Sequence, residues 1–150
     1  MQRLFWLLVV TAGLAAACAD SGSGDGGGGA GGGFIDGPPT WAAIYTDYFA
    51  PTGAASCGGD TAGCHSTAAD AGVIVSNLVC TDSDTCYETL TGTSKLVQPA
   101  DVSNPSGAKL FNFLRTPSGT GKMPKDSSFV FHAGDIKRIQ DWIQNGAQKD

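Results

Sequence analysis

Nine of the thirteen residues at positions 21–33 are glycine, and a stretch with so few side chains has nothing to bury and a large backbone entropy to lose. This tract divides the 150 residues into a short leader and one domain's worth of foldable chain. The leader, residues 1–17, carries Arg3, then the apolar run Leu4-Phe5-Trp6-Leu7-Leu8-Val9-Val10, then small residues ending Ala15-Ala16-Ala17. A positive start, an apolar centre and a small-residue cleavage zone together read as a secretory signal. Residues 18–37 form a Gly/Ser-rich flexible tether, with a root-mean-square reach of about 25 Å. Residues 38–150 are left as the folded domain.

Cys18 follows the small residues directly, at the place where bacterial lipoproteins put the thiol that is lipidated and becomes the new amino terminus. Ala15 stands where such sites usually have Leu, and Ala15-x-Ala17 also suits ordinary signal cleavage. Both processing routes predict export to the bacterial cell envelope, and the first predicts a lipid anchor at Cys18. The whole chain has 14 acidic and 9 basic residues, a net charge of −5, and loss of Arg3 with the leader brings the mature protein near −6. An acidic chain lacks the basic face that neutralises phosphates, which argues against a nucleic-acid partner. No apolar run beyond the first twenty residues is long enough to span a bilayer.

The domain predicts as all-α, small, and rich in long loops. Trp41, Ile44, Tyr45, Tyr48 and Phe49 recur at helical spacing between Thr40, a capping residue, and Pro51. Thr85-Cys86-Tyr87-Glu88 has the capping-box pattern and predicts a second helix running to Gly92. A third is expected over 106–115, and a last over 135–145 with Ile136, Ile139, Trp142 and Ile143 facing inward. Only 72–79 reads as a strand. Four short helices make a modest core, and domains of this kind lean on disulfides, a metal or a cofactor.

Cys57 and Cys64-His65 follow the first helix. Two thiols ahead of an imidazole have the logic of covalent haem attachment, in which the thiols add to the porphyrin vinyl groups and the histidine binds the iron. Six residues separate these thiols rather than the common two, and Gly58, Gly59 and Gly63 let the extra length bulge outward. A Cys57–Cys64 disulfide beside an incidental histidine is the alternative. Met123-Pro124 lies in a glycine-rich segment, and Met123 is the one methionine left after the leader is removed. A thioether in a polar loop is an odd gap filler but a good sixth ligand to low-spin iron, because His/Met ligation raises the reduction potential. His132, just before the last helix, is the rival axial ligand. Lys122 and Lys125 flank Met123 and predict a small basic rim.

The ordered series Tyr48-Phe49, Cys57…Cys64-His65, Val97-x-Pro99, Leu110, Met123-Pro124 and Ile139…Trp142-Ile143…Gly146-Ala147 resembles the monohaem cytochrome c domain, in the long-loop form found on bacterial lipoproteins. The resemblance covers roughly residues 41–147. It implies a small helical fold built around one covalent haem c, with thioethers at Cys57 and Cys64 and axial ligands His65 and Met123. It also implies that the first and last helices cross, with Tyr45 and Phe49 near Ile139 and Trp142. The function implied is one-electron transfer to and from redox partner proteins, by a monomer that is not itself an enzyme. With Cys18 assigned to lipid and two cysteines to haem, Cys80 and Cys86 remain for a disulfide across a polar turn. Without haem, four cysteines allow three pairings. Other readings are a disulfide-stapled, membrane-tethered binding module, a haem site with an open iron position, and a zinc site using Cys57, Cys64, His65 and a further cysteine.

Overall fold

Helix in this chain forms in short pieces, because Pro, Gly, Ser and Thr interrupt every apolar run. The computed structural model describes residues 34–58, 65–67, 69–119, 121–125 and 127–150. The leader, Cys18, the glycine tract and Cys64 lie outside the described residues. The described chain is helix-rich and has no strands. Its one β feature is an isolated parallel bridge between Leu114 and Met123.

The first helix begins where expected, as α1 (Trp41–Ile44), and widens into a π-helical turn over Tyr45–Phe49. The Ala50 N–H reaches back five residues to the Tyr45 carbonyl at 2.7 Å, and Pro51 holds Ala50 extended, at φ −56° and ψ 158°. Thr40 occupies the cap position without a side-chain cap bond. Trp41, Ile44, Tyr48 and Phe49 are buried.

Three expectations need correction. The apolar run at 72–79 is not a strand. Residues Ala71–Ser76 form α2, closed by Asn77 in the left-handed region at φ 56°. Within it Val73 faces inward, while Ile74 and Val75 are 68% and 78% exposed, so β-branched composition misled where helical spacing of a single buried residue decided. The second predicted helix starts earlier, as α3 (Ser83–Glu88), followed by a π turn over Thr89–Thr93. Its cap is Asp82, whose carboxylate accepts from the Thr85 N–H at 2.8 Å and from the Thr85 hydroxyl at 2.7 Å. Finally, 106–115 is not an α-helix. Two 3-10 turns, Pro105–Gly107 and Lys109–Asn112, take its place, because Ala108 between them is extended at ψ 135°.

The last helix, α4 (Ala133–Gln144), turns Ile139, Trp142 and Ile143 into the core. Asp135 in its first turn accepts from the His132 N–H at 2.8 Å. Trp41 makes the ring contact with Trp142, at 5.4 Å between centroids, and also meets Phe49 and Tyr87 at 6.0 and 5.5 Å. Tyr45 and Phe49 belong to the same cluster as Ile139 and Trp142, Tyr45 at its margin, but the tryptophan pair makes the closest aromatic contact between the two helices. Five aromatic side chains, Trp41, Tyr48, Phe49, Phe131 and Trp142, are thus buried among aliphatic ones in the core.

Residues 34–37, the expected end of the tether, are held against α4. The Ile35 N–H donates to the buried Asp135 carboxylate at 2.9 Å, and Arg138 donates to the Pro38 carbonyl at 2.9 Å. Arg138 also pairs with Asp47 at 2.7 Å, and the Tyr48 hydroxyl donates to Asp135 at 2.8 Å. Burial, with the Asp135 carboxylate beside it, pushes the Tyr48 phenol well above its usual range.

Candidate functional site

A cavity of about 400 Å³ opens beside the aromatic core, a volume typical of small-molecule sites. Phe49, Leu78, Leu96, Leu110 and Leu114 form its apolar wall and also belong to the core. Cys57, His65 and Met123 all line it, with Val75 and Phe113 toward solvent and Lys125 at its edge. Three residues that are widely separated in sequence, each singled out for its ligand chemistry, therefore meet in one space. Cys64 lies outside the described residues.

His65 is 6% exposed, and its Nδ1 lies 2.9 Å from the Leu78 carbonyl oxygen. A carbonyl accepts only, so this contact places the ring proton on Nδ1 and leaves the lone pair on Nε2. The partner segment is itself fastened. The Cys80 N–H donates to the His65 carbonyl at 2.7 Å, the Val79 N–H donates to the Thr89 hydroxyl at 3.1 Å, and Cys80 is disulfide-bonded to Cys86. The pairing of Cys80 with Cys86 is thus present. A second support is close approach: a Cβ on Gly58 would sit 1.8 Å from the Cys80 carbonyl oxygen, so only glycine lets the chain leave Cys57 against this segment.

Met123 is half-buried rather than displayed on an exposed loop. Its N–H donates to the Phe113 carbonyl at 2.8 Å, and its carbonyl accepts from the Arg115 N–H at 2.6 Å, which brings the thioether segment alongside 113–115. Gly121 makes this approach possible, since a Cβ there would lie 2.0 Å from the Leu114 carbonyl oxygen. Pro124 follows and is buried.

His132 does not line the cavity. It stands at the cap of α4, with its N–H bound to Asp135, a helix-entry residue. Of the two lysines, Lys125 reaches the cavity edge, whereas Lys122 is exposed and outside the lining. Leu78, Val75 and Phe113 were not singled out by sequence. Leu78 acts through a backbone carbonyl, which carries no side-chain signature, and the other two lie in segments whose secondary structure was misread.

The lining offers an imidazole, a thioether and a cysteine in an otherwise hydrophobic pocket, donors and surroundings of the kind that a haem iron takes. Among the described residues no group of three or more His, Cys, Asp or Glu could hold a bare metal ion. No helix among them is long and apolar enough to cross a membrane. Comparisons with protein-family models, curated proteins and solved structures find no match.

Proposed function

We propose that this protein is a one-electron carrier of the cytochrome c kind, holding one covalent haem between His65 and Met123 at the surface of a bacterial membrane. The observation that carries the reading is that His65 and Met123 line the same apolar cavity, with Cys57 on its wall. Cys57 and Cys64 would hold the group covalently. Haem bound there supplies a one-electron couple at iron.

The chain's own residues account for the rest. The Leu78 carbonyl fixes the His65 tautomer and ring orientation, so that Nε2 is the ligating atom. Met123 adds a soft donor that favours the reduced state, and the apolar wall keeps water out, which works in the same direction. His65 and Met123 would both hold the iron, which suits a role in electron transfer. Lys125 sets a positive charge at the cavity edge of an acidic protein, where it can orient a redox partner. Secretion and lipidation at Cys18 would keep this monomeric domain on a leash at the envelope.

The test is mature protein produced in a host that attaches haem covalently. Reduction should give sharp visible absorption, and colour should survive denaturing electrophoresis. Met123→Ala should retain the haem, lower the potential and let carbon monoxide bind the reduced protein; an unchanged potential removes Met123 from the site. A second reading, a disulfide-stapled binding module without haem, draws support from the Cys80–Cys86 bond. It predicts a colourless protein from the same host.

A further inference from the structure

Beyond the backbone bonds of Met123 itself, the chain that follows it is bound by one side chain whose place in the fold no motif announces. Arg115 touches the segment at four points. Its N–H donates to the Met123 carbonyl at 2.6 Å, and its carbonyl accepts from the Phe131 N–H at 2.8 Å. Its guanidinium donates to the Ser127 carbonyl and to the Phe129 carbonyl, the latter at 2.6 Å from one terminal nitrogen and 3.2 Å from Nε. Met123, Ser127, Phe129 and Phe131 are therefore all tied to a single residue. Charged donors to carbonyl oxygens make stronger bonds than neutral ones, and a rigid planar fork loses little freedom in reaching two carbonyls at once.

We propose that Arg115 is the positioning residue for the axial sulfur: by clamping the carbonyls of Ser127 and Phe129 it fixes the segment that presents Met123 to the cavity. The inference rests on the ligand assignment made above and concerns how firmly that ligand is held. Arg115 is not a lining residue of the cavity, so it acts through backbone, not by contact with the bound group. Loosening the clamp leaves the Met123 side chain intact but lowers the fraction of molecules in which it reaches the iron. A merely structural arginine would change stability while leaving the potential and the closed iron position as they are.

The experiment compares four haem-loaded mature proteins: parent, Met123→Ala, Arg115→Gln and Arg115→Lys. Each is read by reduction potential and by the fraction of reduced protein that binds carbon monoxide at neutral pH. Arg115→Gln should keep its haem, shift the potential downward toward that of Met123→Ala, and bind carbon monoxide where the parent does not. Arg115→Lys keeps the charge but reaches the two carbonyls less well, and should shift in the same direction by less. It carries the test alone if Arg115→Gln fails to fold. A potential and carbon monoxide response equal to the parent's in the Arg115 variants, with Met123→Ala shifted, overturns the proposal and leaves the ligand assignment standing. An unshifted Met123→Ala overturns the ligand assignment and the positioning role with it.

Discussion

At the scale of single residues, Cys57, His65 and Met123 could be picked out in the sequence by their ligand chemistry, and the structure brings them to one cavity, whereas the atoms that hold them carry no such sign. An imidazole after a cysteine and a solitary thioether in a glycine-rich segment drew attention to His65 and Met123. The Leu78 carbonyl that orients His65 has no signature, since any residue has one. Gly58 was read as giving the cysteine spacing freedom to bulge, whereas its Cβ position is filled by the Cys80 carbonyl oxygen at 1.8 Å. A methyl group there has to move backbone rather than a flexible side chain. Gly58→Ala should therefore cost about 1–3 kcal/mol, measurable as a lowered urea midpoint, and a parent-like midpoint would show that the segment carrying Cys57 gives way freely.

At the scale of elements, the outer helices were legible because aromatic residues at helical spacing mark a buried face. The middle of the chain was not. In α2 only Val73 is buried among three consecutive β-branched residues, so alternation and helical period could not be told apart. At 106–115 the apolar pattern is real, but Ala108 is extended and the chain turns in 3-10 steps. In α3 several residues could cap, and the one that does is Asp82. Hydrogen bonds from the Thr85 N–H and hydroxyl hold its carboxyl below the usual range. Similarly, the Asp70 carboxyl, which accepts from the N–H groups of Thr67 and Ser66, is held down. A carboxylate with a lowered folded value adds stability above its unfolded value of about 3.9, and that stability is lost as pH falls through the folded value. Stability should thus decline below about pH 4. Asp82→Asn should flatten that decline, while Asp82→Ala should cost about 1 kcal/mol at neutral pH through loss of the cap. Thermal melts across this range check both.

At the scale of the whole molecule, a modest helical core suggested that a bulky apolar guest forms the centre. The described chain buries Trp41, Trp142, Tyr48 and Phe131 in its core, and the cavity shares part of that core's wall. Aromatic side chains bury enough surface each to make a few short helices cohere, which a count of helices does not reveal. The Cys80–Cys86 bond closes a short loop in the segment supporting His65, and replacing both cysteines by serine should cost about 2 kcal/mol by loop entropy, read as a lower unfolding midpoint. The account stands or falls on whether the space between His65 and Met123 holds a haem. A visible spectrum of the purified mature protein, reduced and oxidised, from a host that attaches haem to cysteine, tests this most directly. Sharp absorption bands on reduction, unchanged by carbon monoxide, are the predicted result. A colourless protein would contradict the haem assignment, and bands that shift fully with carbon monoxide would contradict Met123 as a ligand.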